Sequence, residues 1–141
     1  MKNILIVLSG LFMVCALPIY SANKQLPRNQ RNIREVTSLE ELNIFLKPQK
    51  IVFIDFYKDS CSPCEQFEFL YENWVGLFKE QIIFLKINAS DPETDDLCKK
   101  FGITCFPTLI VVDNEKEIAR HKGMKEIKEM NIKRFLAHLE D

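Results

Sequence analysis

Apolar blocks alternate with polar punctuation along the chain, and their spacing predicts most of its elements. Residues 51–57, IVFIDFY, are β-branched or aromatic with almost no break, the pattern of a central strand covered on both faces. QIIFLKIN (81–88) and TLIVVD (108–113) predict two more strands. The more polar KEIARHKG (116–123), set off by the turn at Asn114, predicts an antiparallel partner for the last of these. Helical spacing appears first in SLEELNIFLKPQK (38–50), where Leu39, Leu42, Phe45 and Leu46 form a stripe. Ser38 is its cap, Glu41 the reciprocal partner three residues on, and Pro48 its stop. A second helix runs from Pro63 to Phe78, with Phe67, Leu70, Val75 and Phe78 inward and Pro63 in the first turn. DPETDDLCKKFG (91–102) predicts a short helix entered by Asp91-Pro92 and closed by Gly102. MKEIKEMNIKRFLAHLE (124–140) reads as one final helix burying Ile127, Met130, Ile132, Phe135, Leu136 and Leu139. A short strand at Arg34 to Thr37 precedes the first helix.

Helices and strands alternate early and a hairpin closes the series, so the simplest packing is an α/β fold with a mixed central sheet and helices on both faces. With 141 residues, 47% of them hydrophobic, the chain fills one core and is too short for two ordinary domains. The domain is expected over residues 34–141.

The N-terminus changes the picture of where the chain works. Lys2, the apolar run Ile4 to Ile19 and the small Ala22 outline a secretory signal over residues 1–22. A polar, basic leader follows over 23–33, read as flexible. Cys15 follows bulky residues rather than the small ones of a lipoprotein processing site. The expected location is periplasmic or otherwise exported; an uncleaved segment would instead anchor the chain to a membrane, facing the exported side. Without Lys2, eighteen basic side chains face twenty acidic ones, a balance that gives no pull toward nucleic acid.

Four cysteines lie beyond the signal: Cys61, Cys64, Cys98 and Cys105. A zinc site wants two tight pairs, yet Cys98 and Cys105 are seven apart and neither His121 nor His138 stands at finger spacing, so no metal is expected. A purely structural Cys61–Cys64 bridge would close too short a loop to stabilise much. A redox couple explains more. Cys61 follows a buried strand and opens a helix, where free amide protons and the helix dipole favour a thiolate. Cys64, one turn deeper, can reach back to release a mixed disulfide. Pro63 stiffens the turn and Ser62 sits where it can tune the couple. Asp55 is an acid inside a core strand. It is either a high-pKa acceptor for the Cys64 proton or a structural group tied to a partner such as Lys58. Phe106-Pro107-Thr108, just before a strand, is a candidate cis-proline turn.

Together with Gly123, these motifs resemble the thioredoxin superfamily over roughly residues 34 to 139. Asp55 stands six residues before Cys61, as the family's buried acid does, and GITCFPTL looks like its cis-proline loop. Within the superfamily, IDFYKDSCSPCEQFE and LKINASDPETDDLCKKFGITCFPTLIVVD look closest to the C-terminal periplasmic domain of the membrane thiol reductase DsbD. The resemblance implies a thioredoxin fold with Cys61 as exposed nucleophile, Cys64 as resolving cysteine, Asp55 as proton acceptor and Pro107 as a cis-proline beside the sulfurs. It also implies that the backbone at Phe106 pairs with an extended client segment, with Ser62 and Pro63 at the same contact surface. Ser60 replaces the family's usual tryptophan and Ser62 the thioredoxin glycine. By family position Cys105 lies beside the cis-proline loop, as an accessory thiol or as an inert core thiol; a Cys98–Cys105 disulfide stays open.

The expected function is an exported protein thiol-disulfide oxidoreductase that reduces, or relays electrons to, client disulfides. The cysteines carry the electrons, so no organic cofactor is implied, and an upstream redox protein must recharge them. The alternative from another class is a peptide-binding or chaperone-like module of the same fold, with redox activity secondary.

Overall fold

The computed structural model describes residues 32–46 and 50–138. The signal reading over 1–22, most of the leader, Pro48 and Leu139 lie outside the described residues. The strands are β1 (Ile33–Glu35), β2 (Ile51–Tyr57), β3 (Ile82–Asn88), β4 (Thr108–Asp113) and β5 (Lys116–Lys122). The helices are α1 (Leu39–Phe45), α2 (Ser62–Phe78), α3 (Asp95–Lys100), α4 (Gly123–Glu129) and α5 (Ile132–Ala137), with a short 3₁₀ turn at Pro92–Thr94 leading into α3.

The strands form one five-stranded sheet in the order β1-β3-β2-β4-β5. β2 is parallel to β3 and antiparallel to β4. It is therefore the middle strand, which explains its unbroken apolar sequence: both of its faces are covered. Side-chain alternation divides the core into two layers. Phe53 packs with Phe67, Tyr71, Trp74 and Val75 of α2 and with Ile127, Ile132 and Leu136 of α4 and α5. Val52, Ile54 and Phe56 point the other way, toward Leu42 of α1 and Leu97 of α3. The expected mixed sheet with helices on both faces is what forms. Among the described residues no helix is long and apolar enough to cross a membrane.

Three local expectations change. β1 spans Ile33–Glu35 rather than 34–37, so Ile33, read as the last leader residue, belongs to the sheet. The α1 cap forms as expected on one side, with Ser38 Oγ accepting the Glu41 amide at 3.2 Å. On the other side Glu41 accepts from Thr37 at 3.1 Å, one residue before the amide it was expected to reach. The single C-terminal helix is two. Asn131 takes an extended conformation (φ −92, ψ 96) and accepts the Arg134 amide with its own side chain at 3.0 Å. A side chain that competes with the helix backbone in this way ends α4 and caps α5, while the apolar spacing continues across the break.

Tyr71 ties α2 to the sheet. Its hydroxyl lies 2.8 Å from the carbonyl oxygens of both Phe53 and Leu85, on neighbouring strands, and it is fully buried. Replacing Tyr71 with Phe keeps the ring and removes the donor, so thermal or urea unfolding should report a loss of about 1–3 kcal/mol. An unchanged midpoint would show that the hydroxyl contributes nothing net.

Candidate active site

The loop that delivers the first cysteine is fastened to the neighbouring strand end. The Ala89 amide donates to Tyr57 O at 2.8 Å, the Asp59 amide to Ser90 Oγ at 3.0 Å, and Asn88 Nδ2 to Asp59 Oδ1 at 3.1 Å. Ser60 then turns the chain into α2 through a left-handed conformation, φ 55. Cys61 is the N-cap of α2: its Sγ accepts the Cys64 amide at 3.3 Å, and its carbonyl accepts the Cys64 and Glu65 amides at 2.9 and 3.1 Å. An N-cap acceptor normally is an oxygen of Ser, Thr, Asp or Asn. A sulfur in that place gains most when it is a thiolate, because the amide and the helix dipole both favour negative charge there. Ser62 and Pro63 are exposed on the first turn, and Cys64 is buried beneath it at 5% exposure. Cys61 and Cys64 form a disulfide, with Cα atoms 5.2 Å apart.

Cys64 begins the buried stripe of α2 that continues through Phe67, Tyr71, Trp74 and Val75 toward the sheet. On the sheet face below, strand register lines up one row: Glu35 pairs with Lys86, Lys86 with Asp55, Asp55 with Leu109, and Leu109 with His121. Asp55 is 1% exposed and its Oδ1 has no hydrogen-bond partner. Burial pushes its carboxyl up to about 7; nearby Lys86 pulls down and Glu68 pushes up. Lys86, not Lys58, is thus the cation beside Asp55; Lys58 is exposed on the loop.

The third part is the loop before β4. The Phe106–Pro107 peptide is cis, as the sequence suggested. Pro107 is buried and its carbonyl accepts the Gly123 amide at 2.8 Å. Gly123 has φ 72, a region costly for other residues, so the start of α4 can fold against the proline loop. Thr108 closes the loop by donating its hydroxyl to Cys105 O at 2.8 Å.

A strand-mounted buried acid, a helix-capping disulfide and a cis-proline loop recur in known proteins. The sequence profile described as Thioredoxin matches residues 34–137. The chain belongs to the thioredoxin family. Thioredoxin-1 of Caenorhabditis elegans is 35% identical over 79 residues, covering 56% of this chain and 66% of the nematode protein. Thioredoxin of Mycoplasma genitalium is 29% identical over 91 residues, covering 64% of this chain and 86% of that protein. The crystal structure of a poplar thioredoxin h superposes with a TM-score of 0.65 at 22% identity, covering 78% of this chain and 98% of that one, and shares the fold. The thioredoxin fold and a thiol-disulfide oxidoreductase class follow from the family and from the formed Cys61–Cys64 bridge.

The remaining cysteines stay apart. Cys98 and Cys105 are both free thiols, so no disulfide joins them. Burial, with Asp95 adding to it, pushes the Cys98 thiol up despite a hydrogen bond from Thr94, which leaves it a poor nucleophile. Cys105 is half-buried in the proline loop, its Sγ 3.7 Å from Thr108 Oγ1. Among the described residues no three His, Cys, Asp or Glu side chains are grouped to hold a metal ion. Sequence reasoning did not find Lys86, Asn88 or Ser90. Asn88-Ala89-Ser90 at the end of an apolar strand carried a signal for loop anchoring. Lys86 carried none, because only strand register brings it to Asp55.

Proposed function

We propose that the chain is an exported reductant, or electron relay, for disulfides of client proteins. The observation that carries the chemistry is the unequal pair of sulfurs: Cys61 at the helix cap with an amide aimed at its Sγ, and Cys64 buried one turn deeper. Cys61 thiolate attacks a client disulfide, bonding to one sulfur and releasing the other as a thiolate. Cys64 gives its proton to Asp55 and attacks the Cys61 sulfur. The mixed disulfide breaks, the Cys61–Cys64 bridge forms, and the second client sulfur leaves. Two electrons have passed to the client, and an upstream redox protein returns them to the pair.

Asp55 suits the acceptor role because burial brings it to about 7, near the working pH of a general base. The cis-proline loop supports a client site in which the backbone of Phe106 pairs with an extended segment, beside exposed Ser62 and Pro63. Export is supported by Lys2 and the apolar run Ile4 to Ile19. The likeness of the motifs around Cys61 and Pro107 to the C-terminal domain of DsbD supports this reading.

The direction is tested by equilibrating the Cys61/Cys64 couple with glutathione. A reductant should lie near roughly −270 mV, whereas a value near roughly −120 mV would make the protein an oxidant and overturn the proposal. A Cys64→Ala variant expressed with its leader should accumulate mixed disulfides through Cys61 with exported proteins. Capture of cytosolic proteins alone would overturn export.

A further inference from the structure

Lys86 is the cation closest to Asp55 on the sheet row, yet its ammonium is held elsewhere. Its Nζ lies 2.7 Å from Glu68 Oε1 and 4.3 Å from the centre of the Tyr57 ring. The Tyr57 hydroxyl in turn donates to Glu35 at 2.5 Å. The Lys86 side chain is 15% exposed and that of Glu68 48%. Asp55 Oδ1 meanwhile stays buried without a partner. Two carboxylates from different elements therefore compete for one poorly solvated ammonium, and Glu68 holds it. An open pocket of about 150 Å³ lined by Ile33, Glu35, Glu68, Glu72 and Lys86 borders the pair.

We propose that Glu68 is a positioning residue for the resolving step: by holding the Lys86 ammonium it keeps Asp55 a strong proton acceptor for Cys64. This rests on the reading of Asp55 as that acceptor. Without Glu68, Lys86 is free to turn to Asp55 and stabilise its carboxylate, which then ionises at lower pH and is a weaker base. The sign of the tuning agrees with the opposite effects of Lys86 and Glu68 on the Asp55 carboxyl. The other ionisable groups set near Asp55 and Lys86 are Tyr71 from α2, Tyr57 on β2, Glu35 on β1, and Glu72 of α2, which shares the cavity, with His121 on β5 beyond Leu109; Cys64, on the buried stripe of α2, is the proton donor of the proposal.

The experiment mixes reduced protein with a coloured nitrobenzoate disulfide. Attack by Cys61 releases one coloured thiolate, and attack by Cys64 on the mixed disulfide releases the second. The second phase is followed from pH 5 to 9. In Glu68→Gln its acid limb should move down by about one pH unit and its plateau should slow by about threefold, so the variant is faster than the parent in acid and slower in base. Glu68→Asp should restore both, and in a Lys86→Met background the Glu68→Gln shift should largely vanish. A limb that stays in place in Glu68→Gln overturns the proposal. A full shift that persists without Lys86 overturns it too, because Glu68 would then act through its own charge. If Asp55→Asn leaves the limb intact, the acceptor reading falls and this proposal with it. If Asp55→Asn removes the limb while Glu68→Gln does not move it, the positioning role alone is wrong.

Discussion

A Cys61→Ala variant is expected to lose multiple-turnover reduction of a protein disulfide by on the order of 10³-fold or more. The reason is the asymmetry of the pair. Only Cys61 is both reachable and capped by an amide, while Cys64 is buried at 5% exposure and cannot meet a client sulfur. Alanine also removes the cap acceptor, which costs about 1 kcal/mol of stability. A thermal melt run beside the assay separates that small loss from the chemical one. Cys64→Ala should behave differently, making the first attack at near-normal rate in a single turnover and then stalling as a mixed disulfide. Equal residual turnover in both variants would mean that the sulfurs are interchangeable and the assignment of roles is wrong. A folded Cys61→Ala protein that keeps its cellular role would instead favour a peptide-binding module.

Asp55→Asn should separate stability from activity. The carboxyl has an ordinary value of 3.8 and is raised to about 7 by burial, so the native state holds a proton that the unfolded chain releases. Between those values the native state binds more protons, and stability falls as pH rises. The penalty is absent below about pH 4, grows from there to about pH 7 and is complete above it, approaching 4 kcal/mol for a shift of this size. Asparagine cannot ionise but leaves a buried amide. The oxidised variant is therefore expected to exceed the parent by about 2–4 kcal/mol at pH 8 and to match it near pH 4, in urea unfolding at each pH. The same variant should resolve mixed disulfides more slowly at neutral pH, because Cys64 loses its proton acceptor. A stability difference that does not vary with pH would show that Asp55 is not raised. A buried acid that costs the fold this much is the kind of strain a protein holds for function.

Local chemistry was legible in the sequence, and long-range register was not. IVFIDFY reads as a doubly covered strand because Ile51 and Phe53 pack on one layer and Val52, Ile54 and Phe56 on the other, and that pattern needs no partner to be recognised. Pro63 and the cysteine spacing fixed the start of α2 to within one residue. The Asp55 acid stood out because it interrupts an apolar run. Its cation did not, since Lys58 is near in sequence while Lys86 arrives through the parallel pairing of β2 with β3. The break between α4 and α5 was hidden for a different reason: the apolar spacing runs straight through Met130 and Asn131, and only the capping geometry of Asn131 ends one helix and starts the next. The β5 strand shows the same limit, with a bulge opposite Val111 and Val112 that leaves Ile118 unpaired and 40% exposed.

The central claim is that position 61 carries the ready thiolate. It is tested by alkylating the fully reduced protein across pH and locating the modified cysteines by mass spectrometry. Cys61 should react first, with a midpoint clearly below the roughly 8.5 of a free thiol, while Cys64 and Cys98 stay protected until well above it. A Cys61 that is untouched at neutral pH, or that reacts no faster than Cys64, would contradict the account.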